Sequence, residues 1–170
     1  MNLAGDKKLS EVTAGARSFS QSEVFTRTFS EGMTLVEDTA NYLDTEGRKA
    51  SKLLSRDGAL AYASASMKLT TELMQIASWL LVLRAVREGD MEAEEARDDK
   101  YRLKPRDGAI GNYLEQGLPE KLIGLIEDSR QLYERIARLD GDLFTGVKAD
   151  ISERDAAAQQ QALRDAFGDI

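Results

Sequence analysis

The side chains that could do chemistry are unevenly supplied in this sequence of 170 residues, which has no His and no Cys. A Ser–His–Asp or Cys–His arrangement cannot be built, because base or nucleophile is missing. Zinc, haem and iron–sulfur sites that depend on His or Cys are excluded as well. Carboxylates are the plentiful group. Glu92, Glu94, Glu95, Asp98 and Asp99 form an acidic cluster. It lacks the alternating ligands and central Gly of a calcium loop, and a di-iron bundle would need Glu-x-x-His pairs. The cluster therefore reads as a solvated face, with no metal and no cofactor expected. Gly108-Ala109-Ile110-Gly111 resembles part of a phosphate loop, but no strand precedes it and no Gly-Lys-Ser/Thr ending follows. Ser51-Lys52 and Ser66-x-Lys68 lack any sign of the desolvated cleft that a Ser–Lys pair needs. No catalytic constellation remains, and the chain is read as a non-enzyme.

Two features suit contact better than catalysis. Arg48, Lys49, Lys52 and Arg56 place four positive charges within nine residues, a patch able to dock an acidic protein or a nucleotide phosphate. Its bland reading is a solvated connector. Trp79, the single Trp, lies in Ile76-Ala77-Ser78-Trp79-Leu80-Leu81 and suits core or interface packing. The whole chain is acidic, with 23 Lys and Arg against 30 Asp and Glu, so general nucleic-acid binding is not expected. Met1 to Ser22 lacks the apolar segment of a signal peptide, and no uninterrupted apolar run approaches the roughly 20 residues of a membrane span. A soluble, cytoplasmic protein without membrane contact is the expectation.

The elements that position these residues are helical. Phe25, Phe29, Met33, Val36, Ala40 and Leu43 recur every three or four residues, opposite Arg27, Glu31, Glu37 and Asp38. That predicts a helix over 23–44, opened by a Ser20–Glu23 capping box or by Ser22. A second helix is predicted over 59–88, after a break at Asp57-Gly58 and before a stop at Gly89. It carries two apolar stripes. Leu60, Ala63, Met67, Met74, Ala77 and Leu81 form one; Leu69, Leu73, Ile76, Leu80 and Leu83 form the other. Apolar residues on two faces imply burial on two sides. The second stripe is the candidate dimer interface, and a charge at Leu80 or Leu83 would weaken dimer or fold. A connector over 97–117 leads to a third helix over 119–144, with Pro119 in its first turn and a seam from Leu122 to Leu143.

The domain reading is a flexible arm over 1–22, a bundle over 23–144 and a mobile or weakly docked tail over 145–170. The tail has good helix propensity but a thin apolar side. Its Leu163, Ala166 and Phe167 are candidate partner contacts, able to gain order in a partner's groove. The fold class is all-α, a three-helix up-down bundle with short extra helices and flexible ends.

At the second helix the residues also become recognisable. Met67-Lys68-Leu69-Thr70-Thr71-Glu72-Leu73-Met74-Gln75-Ile76-Ala77-Ser78-Trp79-Leu80-Leu81, with Arg84-Ala85-Val86-Arg87-Glu88-Gly89, resembles the central segment of the regulator of CtrA degradation (RcdA) family of alphaproteobacteria. Phe29 to Glu37, Tyr42-Leu43-Asp44 and Gly117-Leu118-Pro119 fit the same family, so the resemblance spans about residues 24–144. It implies a dimerising three-helix bundle. It also implies a non-enzymatic adaptor for the ClpXP protease, in contact with ClpX, with response-regulator-type adaptors and with cell-cycle cargo, and recruited to a cell pole. It carries no catalytic residues and no compact docking motif. The alternative is a dimeric helical interaction module or regulator without protease linkage.

Overall fold

The computed structural model describes residues 3–106 and 117–144. Five α-helices account for most of them: α1 (Leu3–Ser20), α2 (Glu23–Asp44), α3 (Glu46–Ser51), α4 (Arg56–Glu88) and α5 (Glu120–Phe144). There is no strand among the described residues. Two 3₁₀ turns, Glu95–Arg97 and Asp99–Tyr101, lie between α4 and α5.

The helix ends follow local chemistry. Ser22 is the N-cap of α2, its hydroxyl accepting from the Phe25 N–H at 3.2 Å. Ser20 turns back instead and donates to the Arg17 carbonyl. Ser55 caps α4 by accepting from the Gly58 N–H at 3.1 Å. Asp57-Gly58, read from sequence as a break, is therefore the first turn of α4. Gly89 closes α4 at φ +81°, the left-handed conformation that glycine adopts without strain.

The expected arm over 1–22 is instead a helix at residues 3–20, so four long helices pack together where three were expected. Ala16 and Ser20 are fully buried, and Phe19 meets Phe25 edge-on at 5.9 Å and Trp79 at 6.5 Å. Arg17 also reaches Glu92 at 3.1 Å. The sequence gives little sign of this helix because it docks through a small residue, Ala16, and one aromatic.

The core is built around α4, which packs against each of the other helices. Leu69, Leu73, Ile76, Leu80 and Leu83 are all buried, three of them completely. They meet Phe25 of α2 and Leu122, Leu132 and Ile136 of α5 in one continuous cluster. Gly32 lets α2 approach so closely that an added Cβ would lie 2.5 Å from Leu80 Cδ1. By length and composition α4 is apolar enough to cross a membrane, and it is the one such helix among the described residues. Its apolar character is explained in part by its buried face, as in the core helix of any bundle.

Candidate functional site

Charged groups inside the bundle are engaged in holding it. Trp79 is 2% exposed, and its indole Nε1 donates to Asp140 Oδ1 at 2.8 Å. Arg102 clamps the same carboxylate through Nε at 2.9 Å and Nη2 at 2.7 Å, and also donates to the Asp140 carbonyl. Its guanidinium lies over the Phe144 ring, 4.9 Å from the centroid. Glu72 binds the Arg106 guanidinium at 2.5 Å and accepts from the Ser129 hydroxyl at 2.7 Å. These networks tie the segment after α4 to α4 and α5. Sequence reasoning singled out Trp79 but missed Asp140, Arg102, Glu72 and Arg106. No periodic signal links residues 34 or more positions apart on separate elements.

On the surface, Glu127 of α5 accepts from Arg130 and Gln131. Those hydrogen bonds pull its carboxyl down to about 2 and push the Arg130 guanidinium up. Burial raises the Tyr42 and Tyr62 hydroxyls. Lys100 is also raised, by Tyr101 and then Asp98. None of these groups forms a nucleophile–base pair with another. The members of the acidic cluster are exposed or serve local contacts, Glu92 on Arg17 and Asp98 on Lys100. Among the described residues no three potential ligand side chains converge to hold a metal ion. Ser51 donates to the Arg48 carbonyl, and Lys68 is exposed.

The sequence-predicted contact residues fall into three groups. The candidate dimer stripe, Leu69, Leu73, Ile76, Leu80 and Leu83, is corrected: its side chains are enclosed by the bundle of their own chain. The other stripe is the one left outside. Leu60, Met67, Met74 and Leu81 are 64%, 73%, 65% and 49% exposed, at successive intervals of seven residues. Both stripes are helical in period, so period alone could not say which faced inward. The second stripe runs beside Tyr62 and Trp79, two large rings that are also buried, and that width of apolar face was the available signal. The second group is the basic patch. Arg48 and Lys49 lie on α3, Lys52 in the turn after it and Arg56 at the start of α4, all exposed. The third group, Leu163, Ala166 and Phe167, lies outside the described residues, as does Gly108–Gly111.

Shallow clefts accompany these surfaces. One, of about 280 Å³, runs between α4 and the segment after it, with Met74, Val82 and Trp79 beside Lys100, Arg102 and Lys104. Another, of about 450 Å³, lies between α2 and α5 across the Glu31–Arg135 ion pair of 2.6 Å. Its lining sets the carboxylates Glu31, Asp38 and Asp128 beside Arg27 and Arg135.

A family model described as a protein of unknown function, DUF1465, matches residues 16–167. No curated protein matches the chain significantly. Among solved structures the chain is similar to the crystal structure of RcdA from Caulobacter crescentus CB15, at 50% identity and a TM-score of 0.64. That match covers 76% of this chain and 98% of that one.

Proposed function

The chain belongs to the DUF1465 family and is a relative of RcdA, and from that premise we propose that it is a non-enzymatic adaptor in regulated proteolysis. The single observation that carries the reading is the 50% identity to RcdA over nearly the whole of that protein. RcdA is a regulatory protein, linked by its family name to CtrA degradation. In this reading the chain works in the cytoplasm, with recruitment to a cell pole. It joins ClpXP through ClpX and response-regulator-type adaptors, and it brings cell-cycle regulators to the protease. The side chains support a role through contact: the buried ionic groups brace the bundle, while apolar and basic residues lie on the outside.

The reading includes a homodimer, and its interface is reassigned to the outer face of α4. Leu60, Met67, Met74 and Leu81 form a line with the seven-residue spacing of a helix-pairing seam, and the smaller Ala63 and Ala77 lie between them. Two copies of such a face bury the same residues from both sides, as a two-fold interface requires. The test of the proposed function is reconstituted turnover. Purified ClpXP is given CtrA and a response-regulator-type adaptor from the same organism, with and without this chain. Faster CtrA loss on adding the chain, dependent on ATP, is expected. An unchanged rate, together with no association between the chain and ClpX, leaves the module without protease linkage as the better reading.

A further inference from the structure

We propose that the corner between α3 and α4 is a docking surface for an acidic protein segment that offers an apolar pocket, with Leu53 as the anchor and Arg48, Lys49, Lys52 and Arg56 as its rim. Leu53 is 88% exposed, more than any other large hydrophobic residue of the described chain. Its neighbour Leu54 turns inward and packs on the core. The backbone beneath is held: the Leu53 and Leu54 N–H groups donate to the Ala50 and Ser51 carbonyls, and Ser55 caps α4 directly after. On the other side, Gly47 lets α3 lie against Tyr42 and Tyr62 with no room for a Cβ. Leu53 is thus presented from a braced turn between two helices.

The charge around it is anomalous for this molecule. The chain as a whole carries −7, yet residues 48–56 contain four cations and no acid, with the exposed acids Glu46 and Asp57 standing just outside them on α3 and α4. All four are exposed, and none forms an ion pair with a carboxylate among the described residues. Elsewhere on the surface, Arg17, Arg84, Arg130 and Arg135 each have an acidic partner. Arg27, Lys68, Lys121 and Arg138 are exposed without an ion pair among the described residues but stand apart in sequence; what distinguishes the patch is four such cations within nine residues. Unpaired cations around an apolar knob complement an acidic rim around an apolar pocket, which steers encounter and fixes register. A nucleic acid is the poorer fit, because an aliphatic knob offers no stacking platform and the rest of the chain repels phosphate. A bilayer surface is normally met by a longer apolar face than one leucine.

The test is site-specific photocrosslinking in the full chain inside the cell, with Leu53 replaced by p-benzoylphenylalanine and the crosslinked peptide mapped by mass spectrometry. The expected crosslink falls on an acidic segment of another protein. Adding Lys49→Glu, Lys52→Glu and Arg56→Glu should lower the yield at least tenfold, and Lys49→Arg with Lys52→Arg should keep it. Circular dichroism melts of the same variants should overlay, since every changed side chain is exposed. A crosslink on a neutral or basic segment, on lipid, on nucleic acid or on a second copy of this chain overturns the proposal. So does no crosslink, or one indifferent to charge reversal. The inference rests on the reading that the chain acts by contact. An acidic partner unrelated to proteolysis would uphold the docking surface while removing the protease reading.

Discussion

Replacing Asp140 with alanine should be among the most damaging single changes in the bundle. The residue is 6% exposed and accepts one hydrogen bond from Trp79 and two from Arg102 through its carboxylate. Alanine leaves the buried indole N–H without that acceptor. It also leaves the Arg102 guanidinium, whose side chain is 18% exposed, without its counter-charge. Breaking a buried pair from one side typically costs about 3–5 kcal/mol. That is a large share of a domain stability of roughly 5–15 kcal/mol. Asp140→Asn keeps an oxygen for the indole and loses the charge, so a smaller loss of about 1–3 kcal/mol is expected. Removing both ionic partners with Arg102→Met and Asp140→Leu should cost less than Asp140→Ala alone, because no uncompensated charge remains. The assay is urea unfolding followed by circular dichroism at fixed protein concentration, so that any association contributes equally. Trp79 emission serves as a second, local readout. A loss below about 1 kcal/mol for Asp140→Ala at unchanged denaturant slope would refute the argument. A double-mutant cycle with no coupling between Arg102 and Asp140 would do the same.

Three further outcomes are expected. Gly32→Ala should destabilise by about 1–2 kcal/mol, since the new methyl meets Leu80 in a filled core. Gly124→Ala on the exposed side of α5 should stabilise by about 0.5–1 kcal/mol, with nothing within 4 Å to obstruct it. Urea midpoints moving in the same direction would contradict this packing. Met74→Glu should leave folding within about 0.5 kcal/mol of the parent while lowering the dimer fraction in light scattering, whereas Leu80→Glu should unfold the chain. An equal loss of helicity in both would contradict the assignment of the two faces of α4. Glu127 has its carboxyl lowered from 4.5 to about 2 in the folded chain, so its contribution is complete above pH 4.5 and fades as pH falls toward 2. Thermal melts of Glu127→Gln and the parent should therefore converge across that window; a gap that widens toward low pH would reverse the sign.

The amino-acid sequence by itself determined the all-α class and the span of three long helices, because a repeat of three and four residues and well-placed caps act locally. α2 runs over the expected residues, α4 starts three residues early at the Ser55 cap, and α5 starts one residue after Pro119. The family was legible for the same reason, in a continuous stretch of one helix. The tertiary structure decided what local pattern leaves degenerate. α4 has two helical apolar stripes, and only packing against α2 and α5 buries Leu69, Leu73, Ile76, Leu80 and Leu83 while exposing Leu60, Met67, Met74 and Leu81. α1 joins the bundle through Ala16 and Phe19, too few apolar residues to print a period. The Trp79–Asp140–Arg102 network and the turn that presents Leu53 depend on residues brought together by the fold. Helix period is a property of one segment, whereas burial and ion pairing belong to whichever segments meet.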